Sequence, residues 1–276
     1  GSGRTPWGTY LTCEENFNNY FSSSDKSFKS TDELHRYGIR TREIGLNWAK
    51  ADSRFDLSKE INETNKVGYV VEIDPLNPNS TPKKHTALGR FKHENAELVI
   101  SKDGKIIVYM GDDERGEYLY KYVSNESMNE VKDKSTLLSN GNLYVAKFND
   151  NFTGEWLLLD TQTTGLSSKA EVCIFTRLAA SKVGATTMDR PEWIASNPKK
   201  NEVCCCLTNN KNRGIKTNKG GDRVDVDKVN PRKNNQYGQI VRWKPRDNNH
   251  SSVYFEWDLF VVAGNPNVHD DNNRGS

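Results

Sequence analysis

Short runs of apolar residues, separated by turn signals, dominate the pattern along this chain. These runs predict β-strands, and they lie at Gly68–Asp74, Ala96–Ile100, Lys105–Met110, Tyr118–Val123, Leu143–Phe148, Glu155–Leu159, Val203–Leu207, Gln239–Trp243 and Val253–Val262. Clusters of turn-forming residues such as Lys102–Gly104 and Asn140–Asn142 connect them. Connections this short predict antiparallel meanders.

Helical periodicity is scarce, and the best exception is Ser168–Ser181, where we expect a loop with one helix. An apolar cadence that ends in proline occurs at Val70–Pro75 and again at Glu192–Pro198. It indicates a weak repeat of ~40–50 residues, about the length of one propeller blade. We therefore predict an all-β fold and favour a β-propeller over a sandwich, with jelly rolls and barrels as alternatives. Two polar regions, Asn16–Lys66 and Asn209–Asn235, resist assignment.

The chain has 276 residues, with 39 basic and 37 acidic side chains and a net charge of +2. We expect a single domain over residues 1–276, because all-β domains commonly reach this length. The balanced charge argues against nucleic acid and membrane surfaces as partners. Aromatic residues, at 10% of the chain, argue against disorder. No apolar run approaches the ~20 residues of a membrane helix, and no cleavable leader begins the sequence.

Five cysteines, at positions 13, 173, 204, 205 and 206, are too few and too unevenly spaced for a disulfide framework or a paired zinc motif. We expect Cys204–Cys206 to be buried, unreactive thiols. Cys13 differs because Glu14 and Glu15 follow it directly. Adjacent carboxylates repel unless a cation compensates them, and a thiolate beside carboxylates suits iron better than calcium alone. A core thiol at a solvated strand end is the alternative.

Two further segments carry acidic residues next to strands. In Gly89–Ala96, Glu94 is a candidate metal ligand, and strand alternation would direct His93 to the opposite face. In Met110–Arg115, three acids follow a strand. Bound calcium and an exposed turn explain that crowding equally well.

Arg190 and Glu192 flank a proline that holds the backbone away from helix, so the two side chains would project to one side. That geometry fits a carboxylate on a cation beside a guanidinium that binds phosphate, with a lysine such as Lys169 from another loop on a further oxygen. A plain Arg–Glu ion pair is the alternative. No Walker loop, GxSxG elbow, HExxH motif or dinucleotide fingerprint occurs, and five histidines offer little material for a histidine-rich zinc centre.

Several longer segments occur in a fixed order, including TPWGTYLTCEENF, VGYVVEIDP, GRFKHENA, YMGDDERGEYLYKYV, LSSKAEV, MDRPEWIASNP and YGQIVRW. From Thr5 to about Pro266, the chain resembles the PhoX-type alkaline phosphatases. The resemblance implies a six-bladed β-propeller, secreted or periplasmic, with an oxo-bridged pair of Fe³⁺ ions and with Ca²⁺ ions. It also implies that the enzyme hydrolyses small phosphate monoesters and releases inorganic phosphate.

On matching positions, the resemblance implies five metal ligands: Cys13, Glu14, Glu94, Asp112 and Glu192. Cys13 would be the iron-bound thiolate, Glu94 would ligate iron, and Asp112 and Glu192 would hold calcium. Strand alternation alone would pair Cys13 with Glu15, and this conflict stays open.

For catalysis, the resemblance implies Arg190 and Lys169, which would bind the substrate phosphate and offset charge in the transition state. Family members continue past the equivalent of Phe260–Pro266, so we expect a partial propeller of about four blades, monomeric or completed by another chain. The alternative function is a non-catalytic, calcium-stabilised propeller fragment or an anion-binding module. A calcium-only, phytase-like propeller is disfavoured because it would have no use for Cys13.

Overall fold

The computed structural model describes residues 1–271 and 273–276. Within these residues lie thirteen β-strands: β1 (Ser2–Arg4), β2 (Tyr10–Cys13), β3 (Val70–Ile73), β4 (Lys83–His85), β5 (Glu97–Ile100), β6 (Lys105–Gly111), β7 (Leu119–Ser127), β8 (Gly141–Phe148), β9 (Thr153–Leu158), β10 (Pro191–Ser196), β11 (Val203–Leu207), β12 (Gln239–Pro245) and β13 (Tyr254–Val262). They form a four-stranded sheet, β1-β2-β3-β4, and a nine-stranded sheet, β10-β11-β12-β13-β9-β8-β7-β6-β5. Paired neighbours run antiparallel.

Three stretches of chain make four-stranded meanders, β1–β4, β5–β8 and β10–β13. Strand β9 joins the second and third meanders, because it pairs with β8 on one side and with β13 on the other. Every predicted strand is present. The observed bounds differ from the expected ones by at most two residues, except that β7 runs four residues further than expected. The prediction of an all-β fold is confirmed, whereas the count of about four blades stays a prediction.

The side chains of β6 alternate between two apolar cores. Ile106, Val108 and Met110 belong to one core, and Ile107 and Tyr109 belong to the other, which β6–β13 build together. Successive residues of a strand point to opposite faces of the sheet. Because both faces of β6 are buried, its sequence is a continuous apolar run instead of an alternating one.

Five short α-helices lie within the described residues: α1 (Asp32–Arg36), α2 (Trp48–Ala51), α3 (Thr161–Thr164), α4 (Lys169–Ile174) and α5 (Thr176–Lys182). The helix expected within Ser168–Ser181 is therefore two helices, because the backbone leaves helical geometry at Phe175, with φ −106° and ψ 44°. The Ser168 hydroxyl caps α4 by accepting a hydrogen bond from the Glu171 amide. In the described parts of the chain, each helix is too short or too polar to cross a bilayer.

The polar region Asn16–Lys66 folds around an apolar cluster of its own, formed by Phe17, Phe21, Leu34, Tyr37, Ile39 and Leu57. The Tyr37 hydroxyl ties this region to the main body, since it lies 3.1 Å from the carbonyl oxygens of both Arg90 and Ile174. Scattered aromatic residues in a polar segment thus supply a small core of their own.

Candidate metal and phosphate site

Three carboxylates that are far apart in the sequence converge at one place. Glu15, Glu94 and Asp113 each offer an oxygen atom, and these atoms all lie within 4.8 Å of one another. All three side chains are partly buried. Charges of one sign at this separation repel strongly unless cations or protons compensate them. This carboxylate cluster (Glu15, Glu94 and Asp113) is the centre of the candidate site.

Backbone pairing explains why Glu94 and Asp113 share a face. A β-bridge joins His93 to Asp112, the Glu94 amide donates to the Gly111 carbonyl at 3.2 Å, and the Asp113 amide donates to the Lys92 carbonyl at 3.0 Å. In such an antiparallel pairing, residues diagonal to one another project to the same side. The side chains of Glu94 and Asp113 therefore lie on one face, and those of His93 and Asp112 lie on the other.

The crowding and burial of the cluster raise the pKa values of two of its carboxyl groups. Burial, together with the neighbouring Glu15 carboxylate, raises the pKa of Glu94 to about 7. Burial also raises the pKa of Asp113 to about 6, against the opposing effect of Arg190. A divalent or trivalent cation between these oxygens would relieve the same repulsion and would favour the ionised carboxylates. The donor set therefore fits a metal site.

The Cys13 thiol borders the carboxylate cluster. Burial, with smaller contributions from the charges of Glu94 and Glu15, raises the pKa of Cys13 to about 12. Short backbone bonds bring these segments together, because the Cys13 amide donates to the Gly1 carbonyl at 3.1 Å and the Ala96 amide donates to the Ser2 carbonyl at 3.2 Å. The thiol is protonated in these surroundings, and only a bound cation would convert it to thiolate at neutral pH.

Glu192 on strand β10 and Arg190, the residue before that strand, complete the site. The Arg190 guanidinium binds Asp113 through two nitrogens, and its Nη2 lies 3.3 Å from Glu192 Oε1. The Thr208 hydroxyl also donates to Glu192 Oε1, at 2.5 Å. The backbone of Arg190 has a φ of 38°, in the left-handed region that a residue other than glycine adopts only when its surroundings hold it there.

Close packing holds strand β10 against β6. A Cβ atom added at Gly111 would lie 2.5 Å from the Pro191 carbonyl oxygen, so only glycine permits this approach. Strand β10 is at the edge of the nine-stranded sheet, and the Asn95 side chain pairs with the backbone of Ile194 there. It donates to the Ile194 carbonyl at 2.8 Å and accepts from the Ile194 amide at 3.0 Å, beside the irregular register that follows Pro191.

The polar region Asn209–Asn235 is organised around Asp189, the residue before Arg190. The buried Asp189 carboxylate accepts hydrogen bonds from Arg213 Nε at 2.7 Å, Asn210 Nδ2 at 2.8 Å and Asn235 Nδ2 at 2.9 Å. The Asp189 backbone is thereby fixed, and with it the start of β10. This long loop therefore positions Arg190.

Glu14 points away from the carboxylate cluster. Its Oε2 accepts from the backbone amides of Gly68 and Tyr69 at 3.0 Å each, and its Oε1 pairs with Lys84 Nζ at 2.9 Å. The structure thus brings Glu15, and not Glu14, next to Glu94. This placement agrees with strand alternation from Cys13, and the role of Glu14 as a ligand stays a prediction.

Asp112 is also separate from the cluster. Its two oxygens accept from the Arg177 guanidinium at 2.7 and 2.6 Å, and both side chains are almost fully buried. The Lys92 amide donates to the same carboxylate at 3.2 Å. Asp112 is engaged in a buried ion pair, and calcium binding by this residue stays a prediction.

Lys169 does not join Arg190 in this structure. It opens α4, and its Nζ donates to the Gly141 carbonyl at 3.0 Å. It lines a cavity whose walls contain Tyr69, Cys173 and Ile174 and no member of the carboxylate cluster. Of the predicted site residues, the structure thus brings together Cys13, Glu94, Glu192 and Arg190. The phosphate contact of Lys169 stays a prediction.

Glu15 and Asp113 are the site residues that sequence reasoning did not select. Each directly follows another acid, Glu14 or Asp112, so the choice between the two neighbours depends on which face of the backbone the site occupies. For Glu15, alternation from Cys13 was the available signal. For Asp113, alternation from Glu94 required the pairing of His93 with Asp112, which is a long-range contact.

Comparison with known proteins places this geometry in a family. A family model described as "Alkaline phosphatase PhoX" matches residues 1–276. The solved structure of Pseudomonas fluorescens PhoX in complex with vanadate, a transition state analogue, is 49% identical and superposes with a TM-score of 0.93. The match covers 100% of this chain and 49% of that chain, so this chain spans about half its length. The propeller-type fold class is confirmed.

A search of curated proteins found no match. The family match covers every residue of the sequence and includes Cys13, the carboxylate cluster and Arg190. The chain belongs to the PhoX family of alkaline phosphatases.

Proposed function

We propose that this chain provides the metal and phosphate site of an enzyme that hydrolyses phosphate monoesters and releases inorganic phosphate. The observation that carries the proposal is the contact between Arg190 and the carboxylate cluster, which sets a guanidinium suited to anions beside carboxylates suited to cations. Membership of the PhoX family supports the reaction class. The relative was solved in complex with vanadate, a transition state analogue. This complex supports the proposal that the enzyme stabilises the transition state of phosphoryl transfer.

We further propose that the cations are iron and calcium. The Cys13 thiol is a soft donor that suits iron. The oxygens of Glu15, Glu94, Asp113 and Glu192 are hard donors that suit Fe³⁺ and Ca²⁺. Bound there, such cations would stabilise charge on the phosphoryl oxygens and activate the attacking nucleophile.

The protein's own contribution centres on Arg190. Its Nε and Nη2 are held by Asp113, while its Nη1 makes no hydrogen bond within the described residues. The side chain is about one quarter exposed, so Nη1 can meet a phosphate oxygen. Because two carboxylates fix the guanidinium before substrate arrives, little reorganisation is needed to offset charge in the transition state.

The test is hydrolysis of p-nitrophenyl phosphate by protein reconstituted with Fe³⁺ and Ca²⁺. We expect Arg190→Ala to lower kcat/KM by on the order of 10²–10³. The matched control is Arg223→Ala, because the Arg223 side chain is 83% exposed and its ion-pair partner among the described residues is Asp225 on the surface. An unchanged rate for Arg190→Ala in metal-loaded protein would remove this residue from the mechanism.

The metal assignment has its own test. Cys13→Ala is expected to abolish the charge-transfer colour of an iron–thiolate bond, whereas Cys204→Ala, on strand β11, leaves the colour unchanged. Undiminished iron in Cys13→Ala by elemental analysis contradicts the ligand assignment. Colourless protein that binds calcium alone and turns over no substrate supports the non-catalytic alternative.

We also propose, from family membership, a secreted or periplasmic protein that acts as a monomer on small phosphate esters. Fractionation of cells that express the natural gene would test the location. Size-exclusion chromatography would test the oligomeric state.

A further inference from the structure

A second constellation of reactive groups lies outside the carboxylate cluster. His85 Nε2 lies 2.8 Å from Glu72 Oε2, and His85 Nδ1 lies 3.3 Å from the hydroxyl oxygen of Ser139. Glu72 and His85 are buried, whereas Ser139 is exposed. Hydroxyl, imidazole and carboxylate groups linked in this order form the arrangement that activates a serine nucleophile.

The sheet and one turn place these three groups. Strands β3 and β4 pair Val70 with His85, so Glu72 and His85 are diagonal neighbours on one face. Ser139 directly follows the 3₁₀ turn Lys134–Leu138, which presents its hydroxyl to the imidazole. The hydroxyl makes this one hydrogen bond within the described residues.

The hydrogen bonds of Glu72 decide the tautomer of His85. Although burial opposes it, hydrogen bonds from His85, Thr9 and Trp7 lower the pKa of Glu72. An ionised carboxylate only accepts hydrogen bonds, so His85 Nε2 carries a hydrogen and donates a hydrogen bond to Glu72. In a neutral imidazole, Nδ1 is then a bare acceptor that faces the Ser139 hydroxyl. This is the tautomer that a general base needs.

Ser139 opens onto a cavity of about 620 Å³ with a mixed lining. Its apolar walls come from Tyr69, Ala87, Ala170 and Ile174, and its cations are Lys66, Lys84 and Lys169. Lys66 pairs with Glu63 and Lys84 pairs with Glu14. The Lys169 ammonium instead donates to the neutral carbonyl of Gly141, two residues from Ser139. Lys169 thus lines the same cavity as Ser139, and its ammonium makes no ion pair within the described residues.

We propose that Ser139 is a nucleophile that cleaves carboxylic esters in this cavity, with His85 as general base, Glu72 as its orienting group and Lys169 as the cation that stabilises the oxyanion. Ser139 Oγ bonds to the acyl carbon while its proton moves to His85 Nδ1. The bond from the acyl carbon to the alcohol oxygen then breaks, and that oxygen takes the proton from His85. Water releases the acyl group by the same steps, with His85 as base, and regenerates the Ser139 hydroxyl.

The test uses a fluorophosphonate, which phosphonylates activated serine hydroxyls with loss of fluoride. Peptide mapping by mass spectrometry is expected to place the adduct on Ser139, and Ser139→Ala abolishes it. Ser135→Ala is the matched control, because the nearby Ser135 hydroxyl bonds to Asp133 instead of to a histidine. Its labelling rate is expected to equal that of the unaltered protein.

A second variant separates activation from simple exposure. Glu72→Gln keeps the shape of the side chain but removes its charge, and we expect the labelling rate to fall by on the order of 10² or more. Its melting temperature shows whether it is folded. No adduct at Ser139, an adduct spread equally over Ser135, or an undiminished rate in folded Glu72→Gln each overturns the proposal.

Discussion

The guanidinium of Arg190 binds both carboxylate oxygens of Asp113, with Nε 3.0 Å from Oδ1 and Nη2 3.1 Å from Oδ2. Asp113 therefore serves two groups, because its oxygen also lies within 4.8 Å of those of Glu15 and Glu94. One carboxylate thus couples the proposed cation site to the proposed phosphate contact. Removing its charge should affect both.

Asp113→Asn is expected to weaken Ca²⁺ binding by at least about 10-fold, because even the loss of a residue that only supports a metal ligand typically costs 10- to 100-fold. Isothermal titration calorimetry of metal-free protein measures this affinity. Asp150→Asn is the control, since Asp150 is an exposed loop residue whose side chain has no part in the site. Equal affinities for the two variants would contradict a role of Asp113 in holding cations.

Gly111→Ala is expected to separate strand β10 from β6. The added Cβ would meet the carbonyl oxygens of Pro191 at 2.5 Å and Glu192 at 2.9 Å, and rigid backbone must shift to accommodate it. Overpacking of this kind typically costs about 1–3 kcal/mol. Urea denaturation measures the loss of stability, and p-nitrophenyl phosphate turnover reports whether Arg190 is displaced. A variant as stable and as active as the parent would show that this approach is not needed.

Asp189→Asn is expected to destabilise the fold by about 3–5 kcal/mol, because it leaves the buried guanidinium of Arg213 without its charge partner. Both side chains are fully buried. Asp258→Asn removes the partner of Arg242 on the surface, where the carboxylate side chain is about half exposed, and should cost about 1 kcal/mol or less. Chemical denaturation of both variants gives the comparison. Equal losses would refute the structural role assigned to Asp189.

Buried Lys121 makes stability depend on pH. Its Nζ donates to the Ser252 carbonyl at 2.7 Å and lies 5.1 Å from the ring centre of Trp156, and burial lowers its pKa from 10.5 to about 7. Between these values the unfolded chain holds more protons than the folded one, so the free energy of unfolding rises with pH by up to about 1.4 kcal/mol per unit. Below about pH 7 both states are protonated and the effect is absent.

Lys121→Met should remove that rise between pH 7 and pH 10.5. Lys147→Met is the control, because the Lys147 side chain is 45% exposed and should leave the pH profile unchanged. Denaturation curves at several pH values provide the measurement. A rise that persists in Lys121→Met would assign it to other groups.

Local patterns were enough to predict the strands. The run from Lys105 to Met110 is apolar at most positions because both faces of β6 are buried, and turn residues mark where the chain reverses. The pairing of β9 with β8 follows from the short turn between them, whereas the pairing of β9 with β13 was not predictable, because nothing within those residues encodes which edges meet.

Long-range contacts also limited the prediction of the site. Cys13, Glu94, Arg190 and Glu192 stand in long motifs that resemble one family, and the structure brings them together. The choice of Glu15 over Glu14 follows from alternation along one strand, whereas the choice of Asp113 over Asp112 depends on a bridge between distant segments. The placement of Lys169 depends on how α4 packs, which the sequence does not specify.

The most direct test of the central claim is anomalous diffraction from crystals of the protein grown with Fe³⁺, Ca²⁺ and vanadate, with data collected on both sides of the iron edge. We expect iron and calcium peaks within about 2.6 Å of carboxylate oxygens of the cluster, an iron peak bonded to Cys13 Sγ, and vanadate in contact with Arg190. Metal peaks only at other residues, or a vanadate ion away from Arg190, would contradict it.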